Sequence, residues 1–476
     1  MPSELVKSLI IEFIMEKNSI SESFKGSAME WFNLDKHFLK SLRDNTPETL
    51  KYIVAPLIRN KLLKNKYFNE YFNMLEAREN IDSEKIKENQ LIQLKEQLIY
   101  SYNYVPYYND LFNNIGFNPD KLNLFDDIKV IPFLTRRLVR ENFDKLISTK
   151  KVKGGFYSTT TSGSTGEPLK LLLDYNSIFK ENAFVYHFRK SLNYKFEDKL
   201  VTFRGIEFGK RFWRKNPINN ETIFSPFKLS HETLDFYIDR INDIKPSFFN
   251  GYFSSIYYFA KLLSENNKKL KIKLKGIFFS SENINEDDRL FVESFFNVPS
   301  LTFYGHTERC AIAQEIRHNE YLFDPYYGFA EQIPANDNTF EIVSTGFLNK
   351  TMPLIRYKTD DICLPAPNGT VSISGRRNVN DYLAGANDEV VSNSSLHFLS
   401  DIFKNVISYQ FIQNKKGQAV LLIVPNKDFS NSEIEIIKKE LDKKTKGVID
   451  FEIRIEEKAI LSARGKFQMF IVNLNR

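Results

Sequence analysis

A change of pattern along the chain is the feature that most constrains its fold. Up to about residue 100, apolar residues recur every three or four positions with charged residues between them, as in segments 50–63 and 84–100, and this spacing predicts helices. From about residue 150, short apolar runs alternate with helical stretches such as 254–264. The runs at 169–173, 277–279 and 340–343 predict strands. Strands that alternate with helices indicate an α/β domain.

A second change near residue 375 marks a smaller unit. Segments 406–412, 419–424 and 451–455 predict strands, and segment 432–444 predicts a helix. We therefore expect an α/β protein with a large N-terminal domain of parallel, helix-covered sheets and a small, mobile C-terminal α+β domain. The predicted bounds are 1–85 for a helical N-terminal extension, 86–376 for the large domain and 377–476 for the small one. A ligand site is expected between the two domains.

Composition excludes several classes of protein. The net charge of +6, from 66 Lys and Arg against 60 Asp and Glu, forms no basic face, so we expect no nucleic-acid partner. The two cysteines, Cys310 and Cys363, are too few for a disulfide framework and favour a reducing compartment. Glu4, Lys7 and Glu12 interrupt the apolar N-terminus, and no apolar run is long enough to span a bilayer. We expect a cytoplasmic protein without a membrane span.

Segment 159–168, Thr-Thr-Thr-Ser-Gly-Ser-Thr-Gly-Glu-Pro, is the sharpest motif. Every residue before the glutamate carries a hydroxyl group or is glycine. Such a loop offers hydroxyls and backbone N–H groups to phosphate oxygens, and its glycines allow close approach. A Walker A loop would need Gly-Lys followed by Ser or Thr, which is absent here. Taken alone, the segment also fits a surface turn between two strands.

Four further segments are weak individually. Segment 304–308, Tyr-Gly-His-Thr-Glu, offers an aromatic face for a base, a hydroxyl for phosphate and a carboxylate for Mg²⁺. Segment 356–361, Arg-Tyr-Lys-Thr-Asp-Asp, offers an Asp for ribose hydroxyls and an Arg for phosphate, although it also fits a surface salt bridge. Ser-Gly-Arg at 374–376 and Gly-Lys-Phe at 465–467 complete the series.

The order and spacing of these five motifs resemble the acyl-adenylate-forming superfamily of acyl-CoA synthetases, luciferases and peptide-synthetase adenylation domains. Within it, the chain is most similar to the phenylacetate–CoA ligase branch, which includes CapK-like proteins of polysaccharide gene clusters. The aromatic segment 100–108, the Pro-x-x-Thr turn at 132–135 and segment 352–357 also resemble that branch. The resemblance covers about residues 90–476.

The resemblance implies a role for each motif residue. The pyrophosphate end of ATP would be bound by the loop residues Thr161, Ser162, Gly163, Ser164, Thr165 and Gly166. The adenosine would be bound by Tyr304 and Gly305, the turn of Ser281 and Glu282, and by Asp361 at the ribose with Arg376 nearby. Thr307 would contact the α-phosphate and Glu308 would bind Mg²⁺, with His306 lining the acyl or α-phosphate site. Lys466, on the small domain, would bridge the substrate carboxylate and the α-phosphate.

The implied reaction converts a small-molecule carboxylic acid and ATP into an acyl-adenylate and pyrophosphate, and then transfers the acyl group to an acceptor. CoA is the acceptor by family default. Two alternatives stay open: an amide-forming ligase that acylates an amino sugar or amino acid in polysaccharide biosynthesis, and a catalytically impaired nucleotide-binding homologue. The first rests on the altered thiol-tunnel region, where Asn387-Asp388-Glu389 stands in place of the expected Asp-Gly. The second rests on Asp360, where glycine is expected, and on two additional residues after Arg376. The histidines have no spacing typical of metal ligands, so we expect no metal beyond magnesium.

Overall fold

A computed structural model describes residues 65–161, 169–204, 206, 208–280, 282, 284–335, 338–376, 382–387, 389–392, 396, 402–403, 405–462, 465 and 467–474. The predicted helix at 50–63 lies outside these residues. Among the described residues, no helix combines the length and apolar character needed to cross a membrane. Both cysteines are buried and unbonded.

The first described part of the chain is helical. Asn65 begins α1 (Lys66–Arg78) by accepting a hydrogen bond from the Phe68 amide at 2.9 Å. The prediction of a helix at 84–100 is confirmed by α2 (Ser83–Tyr104), which buries Leu94, Leu98 and Ser101 along one face. Proline occupies the first position of α3 (Pro106–Asn114), where its missing N–H costs nothing, and α4 (Arg136–Glu141) follows. These helices position the segment before residue 136 beside the central sheets.

A six-stranded sheet forms the first part of the α/β core. Its strands, in the order β4-β5-β3-β6-β7-β8, are β3 (Leu200–Phe203), β4 (Trp213–Asn216), β5 (Glu221–Phe224), β6 (Phe248–Gly251), β7 (Gly276–Phe279) and β8 (Ser300–Leu301). All except β4 run parallel. Before this sheet, β1 (Phe156–Thr160) and β2 (Lys170–Asp174) form a separate antiparallel pair.

Helices cover both faces of this sheet. One face packs against α6 (Leu234–Ile244), α7 (Phe253–Glu265) and α8 (Glu286–Phe296) through Val201, Phe249 and Ile277. The opposite face carries the alternate residues Leu200, Phe248 and Phe278, which pack beside Tyr186 of α5 (Tyr175–Arg189). Strands buried on both faces read as continuous apolar runs, which explains why 277–279 could be predicted as a strand.

The second sheet has seven strands and differs from the expectation. Its order is β12-β13-β14-β15-β11-β10-β9, with strands β9 (Phe303–Gly305), β10 (Ile312–Arg317), β11 (Glu320–Phe323), β12 (Gly328–Pro334), β13 (Phe340–Gly346), β14 (Tyr357–Pro365) and β15 (Val371–Arg376). Every pairing in it is antiparallel, so the prediction of parallel sheets is wrong here. Parallel neighbours need crossover connections of a dozen or more residues, whereas most links in this region are shorter.

A buried arginine fastens the two sheets where the chain passes from one to the other. Arg289 of α8 is 1% exposed and donates to both carboxylate oxygens of Glu315 in β10, at 2.6 and 2.9 Å. The same guanidinium donates to the hydroxyl and carbonyl oxygens of Ser300 in β8, at 2.8 and 3.1 Å. Because β9 follows directly after β8, this cluster fixes where the Tyr-Gly-His-Thr-Glu segment begins.

The C-terminal unit is an α+β sheet. The predicted strands and helix are confirmed by β18 (Val406–Lys415), β19 (Gln418–Pro425), α9 (Asn431–Thr445) and β20 (Asp450–Ile455), with β21 (Phe470–Val472) completing the order β20-β19-β18-β21. A separate pair, β16 (Tyr382–Ala384) and β17 (Val390–Ser392), precedes it. Ile407, Leu422 and Val424 of this sheet belong to the same apolar core as Phe253 and Ile256 of α7. The predicted domain bounds themselves stay predictions.

Candidate functional site

The base of the Ser/Thr/Gly loop closes on itself. Beyond the paired ends of β1 and β2, the Thr161 amide donates to the Leu169 carbonyl at 2.9 Å, and the Thr161 hydroxyl accepts from the Leu169 amide at 3.1 Å. Thr161 and Leu169, the residues on either side of segment 162–168, are therefore held together by two hydrogen bonds. The predicted ligands Ser162, Gly163, Ser164, Thr165 and Gly166 lie outside the described residues.

Arg136 connects this loop base to the next motif, and sequence analysis did not predict it. Its Nη2 donates to the Thr161 hydroxyl at 3.0 Å, and its Nη1 lies 3.3 Å from Glu308 Oε1. Thr135 orients it by capping α4, since the Thr135 hydroxyl accepts from the Leu138 amide at 3.3 Å. The sequence feature that could have identified Arg136 is the Pro-x-x-Thr turn at 132–135, because the residue after its threonine is the first of a helix.

Glu308 is the buried centre of the Tyr-Gly-His-Thr-Glu turn. It is 3% exposed, and its Oε1 accepts from the Tyr357 hydroxyl at 3.1 Å. His306 Nδ1 lies 3.5 Å from the other oxygen, Oε2. The His306 side chain is buried, with 9% exposure, yet neither of its ring nitrogens has a hydrogen-bond partner. Buried polar groups are normally satisfied, so the unpaired ring nitrogens distinguish His306 from Tyr304 and Glu308 on either side of it.

Tyr304 and Asp361 meet at the same edge. The Tyr304 hydroxyl donates to Asp361 Oδ2 at 2.7 Å, and Asp361 is 7% exposed. Burial, reinforced by the Asp361 carboxylate, raises the pKa of Tyr304 well above its usual value, so the phenol stays protonated and donates. Arg376 is the cross-strand partner of Asp361 in the β14–β15 register.

These contacts form one continuous series, which we call the contact path. The Tyr304 and His306 rings lie 5.7 Å apart, which links the two halves. The contact path thus runs through Asp361, Tyr304, His306, Glu308, Arg136 and Thr161.

Two glycines allow the turn to sit this deep. A Cβ at Gly328 would lie 2.2 Å from the Cys310 carbonyl oxygen, and one at Gly346 would lie 2.7 Å from the Arg309 carbonyl oxygen. The backbone after Glu308 therefore rests directly on β12 and β13, where any side chain would displace it.

Comparisons with known proteins give relatives in fold and in sequence. No family model matches the chain. The fold is that of 2-hydroxyisobutyryl-CoA ligase, solved in a postadenylation state with an acyl-AMP: the TM-score is 0.60 at 14% identity, over 83% of this chain and 91% of that one. By sequence, the chain is 21% identical to phenylacetate–coenzyme A ligase of Pseudomonas putida, over 63% of this chain and 71% of that protein.

A second sequence relative covers more of the chain. Protein CapK of Staphylococcus aureus is 24% identical over 458 residues, which are 92% of this chain and the whole of CapK. By sequence, the chain is therefore similar to CapK over nearly its whole length and to phenylacetate–CoA ligase over a shorter part. The resemblance to the phenylacetate–CoA ligase and CapK-like branch is thereby confirmed.

The backbone conformation at position 360 explains why aspartate can stand where glycine is expected. Asp360 has φ +65°, the left-handed conformation that glycine adopts without strain. It lies where the β13–β14 register shifts between Glu341 and Val343. Aspartate tolerates this conformation better than most residues, so the glycine of the superfamily can be replaced here while the turn is kept. Asp360 is exposed while Asp361 is buried, so the two carboxylates occupy different environments.

Arg356, in the same motif, is held by other groups of the protein. Its guanidinium donates to both carboxylate oxygens of Glu331, at 2.9 and 2.8 Å, and to the carbonyl oxygens of Lys129 and Ile131. It also lies 4.5 Å from the centre of the Phe133 ring. This residue therefore anchors the Pro-x-x-Thr turn against β14, and thereby positions Arg136.

Glu282 lies at the carboxyl end of β7, as expected for a ligand site in a parallel sheet, but its carboxylate serves a helix. Its two oxygens accept from the Ser254 amide at 2.9 Å and the Ser254 hydroxyl at 3.0 Å, in the first turn of α7. Its role in nucleotide binding stays a prediction, as do those of Gly305 and Thr307. Ser281, Lys466 and the irregular segment 377–380 lie outside the described residues, as does the side chain of Arg376.

Proposed function

We propose that this protein uses ATP to activate a carboxylic acid as an acyl-adenylate, with release of pyrophosphate, and then transfers the acyl group to an acceptor. The observation that carries the proposal is the contact path, which joins the base of the Ser/Thr/Gly loop to Asp361 through Glu308 and Tyr304. The named activities of phenylacetate–CoA ligase and 2-hydroxyisobutyryl-CoA ligase support the same chemistry.

The first step must bring two anions together. A carboxylate is unreactive because its oxygen is a poor leaving group, and transfer of AMP converts that oxygen into a good one. Positive charge placed between the carboxylate and the α-phosphate stabilises the transition state. Lys466 is proposed to supply this charge from the small domain, while Arg136 holds Glu308 and Thr161 in place. The remaining work is positioning, as in phosphoryl transfer generally.

Glu308 fits the proposed role of magnesium ligand. Mg²⁺ is usually held by one or two carboxylates together with phosphate oxygens and water. Glu308 offers one buried carboxylate, oriented by Tyr357 and Arg136, directly beside the loop base. When bound, the ion would neutralise negative charge on the phosphates.

His306 is proposed to contact the reacting groups. Its buried ring nitrogens have no hydrogen-bond partner, and it lies between Tyr304 and Glu308 on the contact path. A ring N–H at this place can donate to an oxygen of the acid or of the α-phosphate. Tyr304 would present its ring to adenine while its hydroxyl orients Asp361 towards the ribose.

CoA is the proposed acceptor, with ATP and Mg²⁺ as the cofactors of the first step. The names of the two CoA ligase relatives support this choice. An amine acceptor is the alternative, because the residues after Arg376 and the Asn387-Asp388-Glu389 segment depart from the CoA ligase pattern.

The test is a pyrophosphate-release assay with ATP and magnesium, against a panel of aryl, fatty, hydroxy and amino acids, each with and without CoA. Release that depends on one acid would establish adenylation, and an increase with CoA would identify the acceptor. No release with any acid, despite measurable ATP binding, would contradict the proposal and favour the impaired homologue.

Lys466→Ala tests the assigned cation. We expect this change to abolish acid-dependent pyrophosphate release while ATP binding, followed with a fluorescent analogue, is largely kept. Lys458→Ala is the matched control, because Lys458 is an exposed lysine of the same C-terminal segment. Normal release by Lys466→Ala would refute the role of Lys466 without refuting adenylation itself.

A further inference from the structure

A second polar cluster lies away from the contact path, where α1 packs against α5. Glu76 is in the last turn of α1, and Glu79 is the residue that caps its C-terminus. His187 is near the end of α5 and faces both of them. One ligand atom from each of the three residues lies within 4.8 Å of the others. No role in the proposed reaction calls for this cluster.

His187 is buried and unsatisfied. Its side chain is 10% exposed, and neither ring nitrogen has a hydrogen-bond partner. Oε1 of Glu76 is likewise buried without a hydrogen bond. An unpaired buried polar atom destabilises the folded state, so three of them in two neighbouring side chains require an explanation. An ion that binds His187 Nε2 and Glu76 Oε1 would satisfy two of these three atoms.

Two of the three distances between ligand atoms match those around a tetrahedral metal ion. His187 Nε2 lies 3.2 Å from Glu79 Oε1 and 3.5 Å from Glu76 Oε1. Zinc binds imidazole nitrogen and carboxylate oxygen at about 2.0–2.2 Å, which places two tetrahedral ligand atoms roughly 3.4 Å apart. The two separations from the imidazole nitrogen therefore fit two ligands of one ion.

The surrounding charges permit a divalent cation. The other oxygen of Glu76 is paired with Lys190, which leaves Oε1 for a metal. Arg78, the other nearby cation, is paired with Asp324 at 2.7 Å. Burial, with a smaller contribution from Arg78, lowers the pKa of His187, which favours the neutral imidazole that binds metals. The Glu79 side chain is 62% exposed and gives an ion access from solvent.

We propose that Glu76, Glu79 and His187 bind a divalent transition-metal ion, with zinc the best match, which clips α1 to α5. One nitrogen and two oxygen ligands leave a fourth position for water. The role is structural, since the ion ties the helix at the start of the described chain to the large domain. This proposal departs from the expectation of no metal beyond magnesium. The sequence does not reveal the site, because its ligands come from helices about 110 residues apart and form no local motif.

The experiment uses the full-length protein, stripped with a chelator and titrated with zinc chloride against a chromophoric zinc indicator. We expect one equivalent to bind and to raise the thermal unfolding temperature. Glu79→Ala should weaken binding by at least about 100-fold, since even outer-shell partners of metal ligands are worth about 10–100-fold. Because Glu79 is largely exposed, this variant should fold normally. His187→Gln should give the same loss.

His318→Ala is the control. His318 also contacts two glutamates, but through different ring nitrogens, to Glu286 at 2.6 Å and Glu293 at 3.3 Å, so these contacts cannot share one ion with it. Zinc binding should be unchanged in this variant. X-ray absorption should show only nitrogen and oxygen neighbours around the zinc. No binding by the wild type, equal binding by Glu79→Ala, or a sulfur neighbour would overturn the proposal.

Discussion

Arg136 offers the sharpest test of the site, because one side chain holds two of its parts. We consider Arg136→Met, which keeps the apolar bulk of the side chain and removes its charge and hydrogen bonds. The neighbouring Arg137 supplies a matched control, since its side chain is 76% exposed and pairs with Glu141 at the helix surface. Arg137→Met therefore changes the charge equally without touching Glu308.

Both a stability loss and an activity loss follow from the geometry. The side chains of Arg136 and Glu308 are 10% and 2% exposed, so the change leaves a buried carboxylate without its cation. Removing one partner of a buried ion pair costs about 3–5 kcal/mol. Because the separation of 3.3 Å is long and Tyr357 still donates to Glu308, we expect the lower end, about 3 kcal/mol. Loss of two positioning contacts should lower kcat/KM for adenylation by about 100-fold.

Urea denaturation measures the first effect, and pyrophosphate release with the acid found in the panel measures the second. Arg136→Lys should recover only part of each, because one ammonium cannot span both acceptors. A double-mutant cycle with Glu308→Gln should give a coupling of at least about 1 kcal/mol. Arg136→Met with stability within about 0.5 kcal/mol of wild type and an unchanged rate would refute the reasoning.

Three further predictions concern the support of the site. Arg289→Ala leaves Glu315 buried and uncompensated, so the free energy of unfolding in urea should fall by about 3–5 kcal/mol. Burial raises the pKa of Glu265 from its usual 4.5 to about 7, so the folded state binds more protons than the unfolded state between these values. The contribution of Glu265 to the free energy of unfolding should therefore fall as the pH rises from about 4.5 to about 7, and Glu265→Gln should flatten that dependence. Asp360→Gly should change the free energy of unfolding by no more than about 1 kcal/mol, because relief of the left-handed strain is offset by the larger entropy of unfolded glycine.

Each of these predictions has its own control. Arg317 is exposed, so Arg317→Ala should be nearly neutral beside Arg289→Ala. Glu435→Gln, at an exposed helix position, should leave the slope of stability against pH unchanged, and a slope that persists in Glu265→Gln would contradict the assignment. Asp360→Ala should destabilise the protein, since alanine resists the left-handed region. A gain of adenylation by Asp360→Gly from an inactive wild type would support the impaired homologue.

Individual helices and strands could be predicted from the sequence because they depend on the spacing of apolar residues a few positions apart. The apolar spacing within segment 84–100 predicted α2, and continuous apolar runs predicted β7 and β19. Strand direction was not accessible, because a run such as 340–343 is compatible with either pairing. The antiparallel sheet therefore had to be learned from the structure.

The site shows the same limit. Its motifs were found because superfamily members keep them in order, yet Arg136 and Glu308 are 172 positions apart and meet only in the folded chain. Arg356 illustrates the same limit, since the sequence left phosphate contact and a salt bridge both open, and in the folded chain its guanidinium pairs with Glu331. Residue type and spacing indicate which chemistry is available, whereas the partner that each side chain selects depends on tertiary packing.

The apolar contact between the small sheet and α7 has a consequence for how the protein responds to temperature. Ile407, Leu422 and Val424 share one core with Phe253 and Ile256, so any departure of the small sheet from α7 exposes apolar surface to water. Exposure of apolar surface carries a positive heat-capacity change. The free energy of separating the small sheet from α7 must therefore depend nonlinearly on temperature. Cooling weakens the hydrophobic interaction that holds the two together. Turnover limited by that movement would give a bent Arrhenius plot, and the bend would become shallower when Leu422 is replaced by a smaller side chain.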